Sequence, residues 1–132
     1  MRMASALKGV SVLVVDDDPD ALDILGLALG AVGATVQTAA SAEAALAMLQ
    51  RWRPDVVLSD IQLPGLDGFA FLGLLRANPR FCTIPAAALS GVRAPLAGQK
   101  PAAFEKYLTK PTKLPEIVSA LASLASRERR AR

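Results

Sequence analysis

The 132-residue chain contains no histidine. That absence removes the Ser-His-Asp and Cys-His types of nucleophilic catalysis, and with them the commonest zinc ligand. It contains one cysteine, Cys82, so no internal disulfide can form, which fits a reducing, cytoplasmic setting. Long hydrophobic runs are missing too. The longest apolar stretch, Leu25 to Val36, is rich in glycine and alanine and falls short of the roughly 20 residues a membrane-spanning helix needs. The N-terminus lacks the pattern of a signal peptide, because Lys8 interrupts its apolar run and Val12 to Val15 leads straight into acids. The chain shows no internal repeat and no low-complexity linker.

What is present is apolar. Hydrophobic residues make up 52% of the chain, enough for a globular domain with a core of its own. The net charge of +3 suggests nucleic acid at first sight, but its location speaks against that reading. Residues 126–132 hold Arg127, Arg129, Arg130 and Arg132 against Glu128, which accounts for the whole net charge. Such a short basic end reads as a solvated helix terminus, and direct DNA binding is not expected.

The pattern divides into a lead-in over residues 1–9, a domain over 10–126 and an Arg-rich end over 127–132. Val10 to Val15 is a strand with almost no polar residue, as expected of a central strand covered on both faces. It ends on Asp16-Asp17-Asp18. Asp18 followed by Pro19 forms the start of a helix that runs to about Val32, where Gly33 stops it. Ala34 to Ala39 reads as a second strand, and Ser41 caps a second helix that ends at Arg53-Pro54. Val56 to Leu58 is a third, buried strand and runs into Asp60. A loop with Pro64, Gly65 and Gly68 follows, and Asp67 caps a third helix that Asn78-Pro79 stops. Ile84 to Leu89 is a fourth strand, ending on Ser90-Gly91, and Lys106 to Thr109 a fifth, ending on Lys110-Pro111. The last helix starts near Pro115.

Strands alternating with about five helices imply an α/β fold, a doubly wound parallel sheet with right-handed crossovers. Five strands fit the flavodoxin-like order 2-1-3-4-5. In that order the C-terminal strand ends bring together Asp16, Asp17, Asp60, Ser90 and Lys110. That edge is where ligands bind in open α/β sheets. Three carboxylates drawn together repel one another, and a bound cation relieves the repulsion. Oxygen-only ligands select a hard ion, and magnesium tolerates a site of few carboxylates, waters and phosphate oxygens. A carboxylate beside a lysine and a hydroxyl is placed to accept a phosphoryl group as an acyl phosphate.

The ordered motifs Val14-Val15-Asp16-Asp17-Asp18, Ser59-Asp60 with Leu63-Pro64 and Asp67-Gly68, Ala88-Leu89-Ser90-Gly91 and Tyr107-Leu108-Thr109-Lys110-Pro111 resemble the receiver domains of two-component response regulators. The resemblance covers about Val10 to Ala125. That family is itself a well-known example of the 2-1-3-4-5 order, so the expected topology rests on the resemblance as much as on the pattern. By position, the resemblance implies Asp60 as phosphoacceptor and Asp17 as a direct magnesium ligand. It implies that Asp16 holds the ion through water and that the main-chain carbonyl of Gln62 completes the site. Lys110 matches the phosphate-pairing lysine, Ser90 the switch hydroxyl, and Tyr107 the aromatic that turns inward when the hydroxyl moves. The bond before Pro111 is expected to be cis. The expected partners are a sensor histidine kinase or histidine phosphotransfer protein, and a downstream protein that the sequence does not name. Without histidine the chain cannot be the donor side of such a pair.

The phrases Leu7-Lys8-Gly9 and Leu63-Pro64-Gly65-Leu66-Asp67-Gly68-Phe69 are similar to receivers attached to hybrid sensor kinases. One stretch departs from the family. Only 20 positions separate Ser90 from Lys110, and Pro95, Gly98 and Pro101 disfavour a full helix there, since an interior proline costs about 3 kcal/mol. The fourth helix is therefore expected to be short or irregular, with fast amide exchange over residues 91–106. Two other readings stand beside the switch. One is a receiver-fold adaptor whose site is idle. The other is a haloacid-dehalogenase-type phosphatase using Asp16 and Asp18.

Overall fold

The computed structural model describes residues 3–91 and 104–131. Its elements run η1 (Met3–Ser5), β1 (Ser11–Val15), α1 (Pro19–Ala31), β2 (Thr35–Ala39), α2 (Ala42–Leu49), β3 (Val56–Ser59), α3 (Gly68–Ala77), β4 (Ala86–Ser90), β5 (Lys106–Thr109) and α4 (Leu114–Ala131). The strands form one sheet in the order β2-β1-β3-β4-β5, with every neighbouring pair parallel. This is the flavodoxin-like order expected from the sequence. The expected fourth of five helices falls on residues that lie outside the described ones, so α4 here is the C-terminal helix.

The central strands are apolar on both sides because both sides are covered. On one face Leu13, Val15, Val57, Ala86 and Ala88 pack against Leu49 of α2 and Phe71, Leu72 and Leu75 of α3. On the other, Val12, Val14, Val56, Leu58 and Leu89 pack against Leu22 and Leu29 of α1 and Leu121 and Leu124 of α4. The capping residues act as their types suggest. Asp18, Ser41 and Asp67 accept hydrogen bonds from the main-chain N–H groups of Asp20, Ala44 and Ala70. Without such acceptors those first-turn donors would have no partner inside the helix.

Most element boundaries shift by one or two residues, but α2 stops at Leu49 and not at Arg53-Pro54, because the Gln50 and Arg51 N–H groups turn to the Ala47 and Met48 carbonyls at 3.3 and 3.0 Å and tighten the chain out of the helix. Strand β4 starts two residues later than expected, at Ala86, because Ile84 closes a turn, its N–H donating to the Phe81 carbonyl at 3.1 Å. The segment before β1 is more than a tether. Leu7 is fully buried in the core beside α1 and α4, and its N–H donates to the Val32 carbonyl at 2.9 Å. At the other end, Arg127, Arg129 and Arg130 fall within the last turns of α4, where Glu128 is buried.

Candidate functional site

Register positions the site. Val15 pairs with Ser59, so the next residues, Asp16 and Asp60, leave the sheet side by side. The Asp60 N–H donates to the Val15 carbonyl at 2.8 Å, which holds the two chains together one step past the strands. Ser90 pairs with Thr109, and the Lys110 N–H donates to the Ser90 carbonyl at 2.8 Å. Four strand ends thus deliver Asp16, Asp60, Ser90 and Lys110 to one edge of the sheet.

Carboxylate oxygens of Asp16, Asp17 and Asp60 lie within 4.8 Å of one another. Asp16 is buried and Asp17 exposed, so the cluster opens to solvent on the Asp17 side. The Lys110 ammonium donates to Asp60 Oδ2 at 3.3 Å and to Asp16 Oδ2 at 3.4 Å. The other Asp16 oxygen accepts the Asp18 N–H at 2.9 Å, and the other Asp60 oxygen accepts the Gln62 N–H at 3.2 Å. Each of these two carboxylates is therefore oriented by one main-chain donor and by the Lys110 ammonium. Ser90 is buried at the end of β4. Tyr107 is half-buried on β5, and its hydroxyl accepts the Phe104 N–H at 3.2 Å. The Lys110–Pro111 peptide bond is cis, as expected.

Burial alone lowers the Lys110 pKa, but the charges of Asp16 and Asp60 and its hydrogen bonds to both hold it above the ordinary lysine value. The sign follows. A raised folded pKa gives stability that is fully present below the unfolded lysine value of about 10.4 and is lost as pH rises through the folded value. The stability advantage of the parent over Lys110→Met should therefore be flat from neutral pH to near that value and shrink above it. Urea unfolding across the alkaline range checks this. An advantage that shrinks between pH 6 and 9 would show that another group carries it.

The sequence brought the acids, the hydroxyl and the lysine to one edge, and the geometry agrees. Asp18 stands apart: its side chain caps α1, and among the described residues it is not in the carboxylate cluster. Three residues at the entry to β5 escaped the sequence reading. Phe104 is buried, Glu105 accepts from the Ala86 N–H at 2.7 Å, and Arg76 donates to Glu105 at 2.9 Å. A buried aromatic directly before a short edge strand was the available signal.

The profile of the response regulator receiver domain matches residues 12–122, and the chain belongs to that family. It is 39% identical over 114 residues to an uncharacterized 14.6 kDa protein of Leptolyngbya boryana, covering 85% of this chain and 87% of the relative. It is 37% identical over 128 residues to the probable transcriptional regulatory protein TcrX of Mycobacterium tuberculosis, covering 96% of this chain but 54% of that one. The chain thus spans about half the length of that regulator. Among solved structures, the receiver domain of a Pseudomonas aeruginosa sensor histidine kinase superposes with a TM-score of 0.81 at 28% identity, covering 89% of this chain and 98% of that one. That structure has a magnesium ion coordinated in its active-site cleft. The chemotaxis protein CheY4 of Vibrio cholerae gives the same TM-score of 0.81 at 28% identity, over 87% of this chain and 98% of that one. Receiver domains are phosphorylation switches that work with histidine kinases and typically bind magnesium at an acidic site. Among the described residues, no helix is long and apolar enough to cross a membrane.

Proposed function

We propose that Asp60 accepts a phosphoryl group from a phosphohistidine of a sensor kinase or a histidine phosphotransfer protein, and that the chain later hydrolyses the acyl phosphate. The observation that carries this is the Lys110 ammonium bridging Asp60 and Asp16 at a sheet edge where three carboxylates converge. An Asp60 oxygen attacks phosphorus, the bond from phosphorus to the imidazole nitrogen breaks, and histidine leaves. Water later attacks the same phosphorus and releases phosphate, returning the carboxylate. Lys110 stays cationic and pairs with the equatorial oxygens. Ser90 donates its hydroxyl to the bound phosphoryl group, and Tyr107 follows the movement of Ser90.

The donor set is all oxygen and carries three negative charges, which fits magnesium. Asp17 and Asp60 would hold the ion directly, Asp16 through water, and Gln62 through its main-chain carbonyl. When bound, the ion neutralises charge that builds up on the transferring group. This reading includes a cytoplasmic location, and an output that runs through protein contacts made by the receiver surface around β4 and β5.

Incubation with magnesium and acetyl phosphate should add one phosphate that is labile to base, and Asp60→Asn should remove it. Magnesium should also raise the melting temperature of the parent by mass action, and Asp17→Asn should abolish that rise. If Asp60→Asn labels as well as the parent, the acceptor is another residue. If the parent does not label under any donor, the chain is the idle-site adaptor instead.

A further inference from the structure

The entry to β5 is built from side chains that the acidic cluster does not use. Phe104 is buried between two rings. It meets Phe69, in the first turn of α3, edge-on with centroids 5.8 Å apart, and it meets Tyr107 edge-on, also at 5.8 Å. Edge-to-face contact is a preferred geometry for aromatic pairs, because the positive rim of one ring meets the negative face of the other. The Phe104 N–H also donates to the Tyr107 hydroxyl at 3.2 Å. One residue thus holds Tyr107 twice, at its ring and at its oxygen.

Phe104 itself has little freedom. The next residue, Glu105, donates its N–H to the Ala86 carbonyl at 2.9 Å, and its carboxylate accepts the Ala86 N–H at 2.7 Å. Arg76, near the end of α3, donates to the same carboxylate at 2.9 Å. Helix α3 therefore grips the start of β5 at both of its ends, through Phe69 and through Arg76. Phe69 follows Gly68, whose N–H donates to the Ile61 carbonyl at 2.7 Å. The three rings make one packed path from the loop after Asp60 to the strand that ends at Lys110. This path does not pass through Ser90.

We propose that Phe104 is a positioning residue that locks Tyr107 to the first turn of α3, so that a change at Asp60 reaches Tyr107 through Phe69 and Phe104. The path, though not the lock, rests on the reading of Asp60 as phosphoacceptor. Coupling exists only where both ends bias a shared element, so the test reads Tyr107 directly.

Tyr107 is the only tyrosine in the chain, so 3-fluorotyrosine gives a single fluorine resonance. In the resting protein, Phe104→Leu keeps an apolar side chain but removes the ring. Its resonance should move towards the position seen in the urea-unfolded chain. Phe69→Leu should move it part of the way, and Phe69→Trp, which keeps an aromatic ring and adds no second tyrosine, should bring it back towards the parent position. Magnesium with beryllofluoride, a phosphoryl mimic, should shift the parent resonance. In Phe104→Leu that second shift should shrink to the part carried through Ser90, while labelling of Asp60 by acetyl phosphate stays at the parent level. A resting resonance that Phe104→Leu leaves in place overturns the lock. A beryllofluoride shift of parent size in Phe104→Leu overturns the path. A parent that neither labels nor responds to beryllofluoride overturns the Asp60 reading and the path with it, and the resting-state comparison still decides the lock.

Discussion

Arg53→Met should lower the stability of the fold by about 2 kcal/mol, read from urea unfolding. Glu128 is the reason. Its side chain is only 2% exposed, and Oε1 sits 2.6 Å from Arg53 Nη2. It also lies in the last turn of α4, where the helix dipole disfavours a negative charge. Removing the guanidinium takes away the charged donor to Glu128 Oε1, and a hydrogen bond between charged groups is among the stronger ones a side chain can lose. Arg53 also donates to the Arg80 carbonyl at 2.7 Å and to the Thr83 hydroxyl at 3.1 Å, so the same change loosens the turn that leads to β4. The reverse change should be milder. In Glu128→Leu, Arg53 keeps those two bonds and, being 35% exposed, keeps contact with water. The double change Arg53→Met with Glu128→Leu should recover most of the loss, because apolar groups of similar volume replace a buried pair at little cost. A double variant as unstable as the sum of the two singles would show that the pair is not coupled. The clamp lies before β3 and β4, at the far edge of the sheet from Asp60, so phosphorylation of the folded variant should be unchanged.

The sequence carried the sheet and the acidic cluster because both are written in local signals. Val12 to Val15 and Val56 to Leu58 are apolar runs too short for a buried helix and ended by acids, and they became the two central strands. Asp18, Ser41 and Asp67 announced three helix starts, since an oxygen-bearing side chain there satisfies first-turn donors. Strand order then carried Asp16, Asp60, Ser90 and Lys110 to one edge without further information. What stayed hidden depends on long-range contacts. Leu7 has no strong period around it, yet it fills the space under α1 and α4. Glu128 sits among arginines that read as a solvated end, yet it is buried and pairs with Arg53, 75 positions away, a contact no local pattern announces. Phe104 stands next to a stretch rich in proline and glycine, which hides its place between two aromatic rings.

Two glycines on α3 should respond to alanine with opposite signs. At Gly73 an added Cβ meets nothing within 4 Å. Alanine is the better helix former, so Gly73→Ala should stabilise the protein by about 0.5–1 kcal/mol. At Gly68 the same methyl would lie 2.4 Å from the Asp60 carbonyl oxygen and 2.7 Å from the Ile61 Cα. Both are backbone atoms, which cannot swing aside as a side-chain tip can. Gly68 also donates its N–H to the Ile61 carbonyl at 2.7 Å, so the first turn of α3 is pressed against the very backbone that carries Asp60. Gly68→Ala must push these apart, and the cost should be about 3 kcal/mol, at the upper end for overpacking. The displaced backbone bears the Asp60 carboxylate, so the magnesium-induced rise in melting temperature should also shrink in Gly68→Ala and stay at the parent value in Gly73→Ala. If Gly68→Ala is as stable as Gly73→Ala, the close approach of helix and loop is wrong. If it is destabilised while its magnesium response is intact, the contact serves packing alone, and the carboxylate is held by the strand and Lys110 without help from α3.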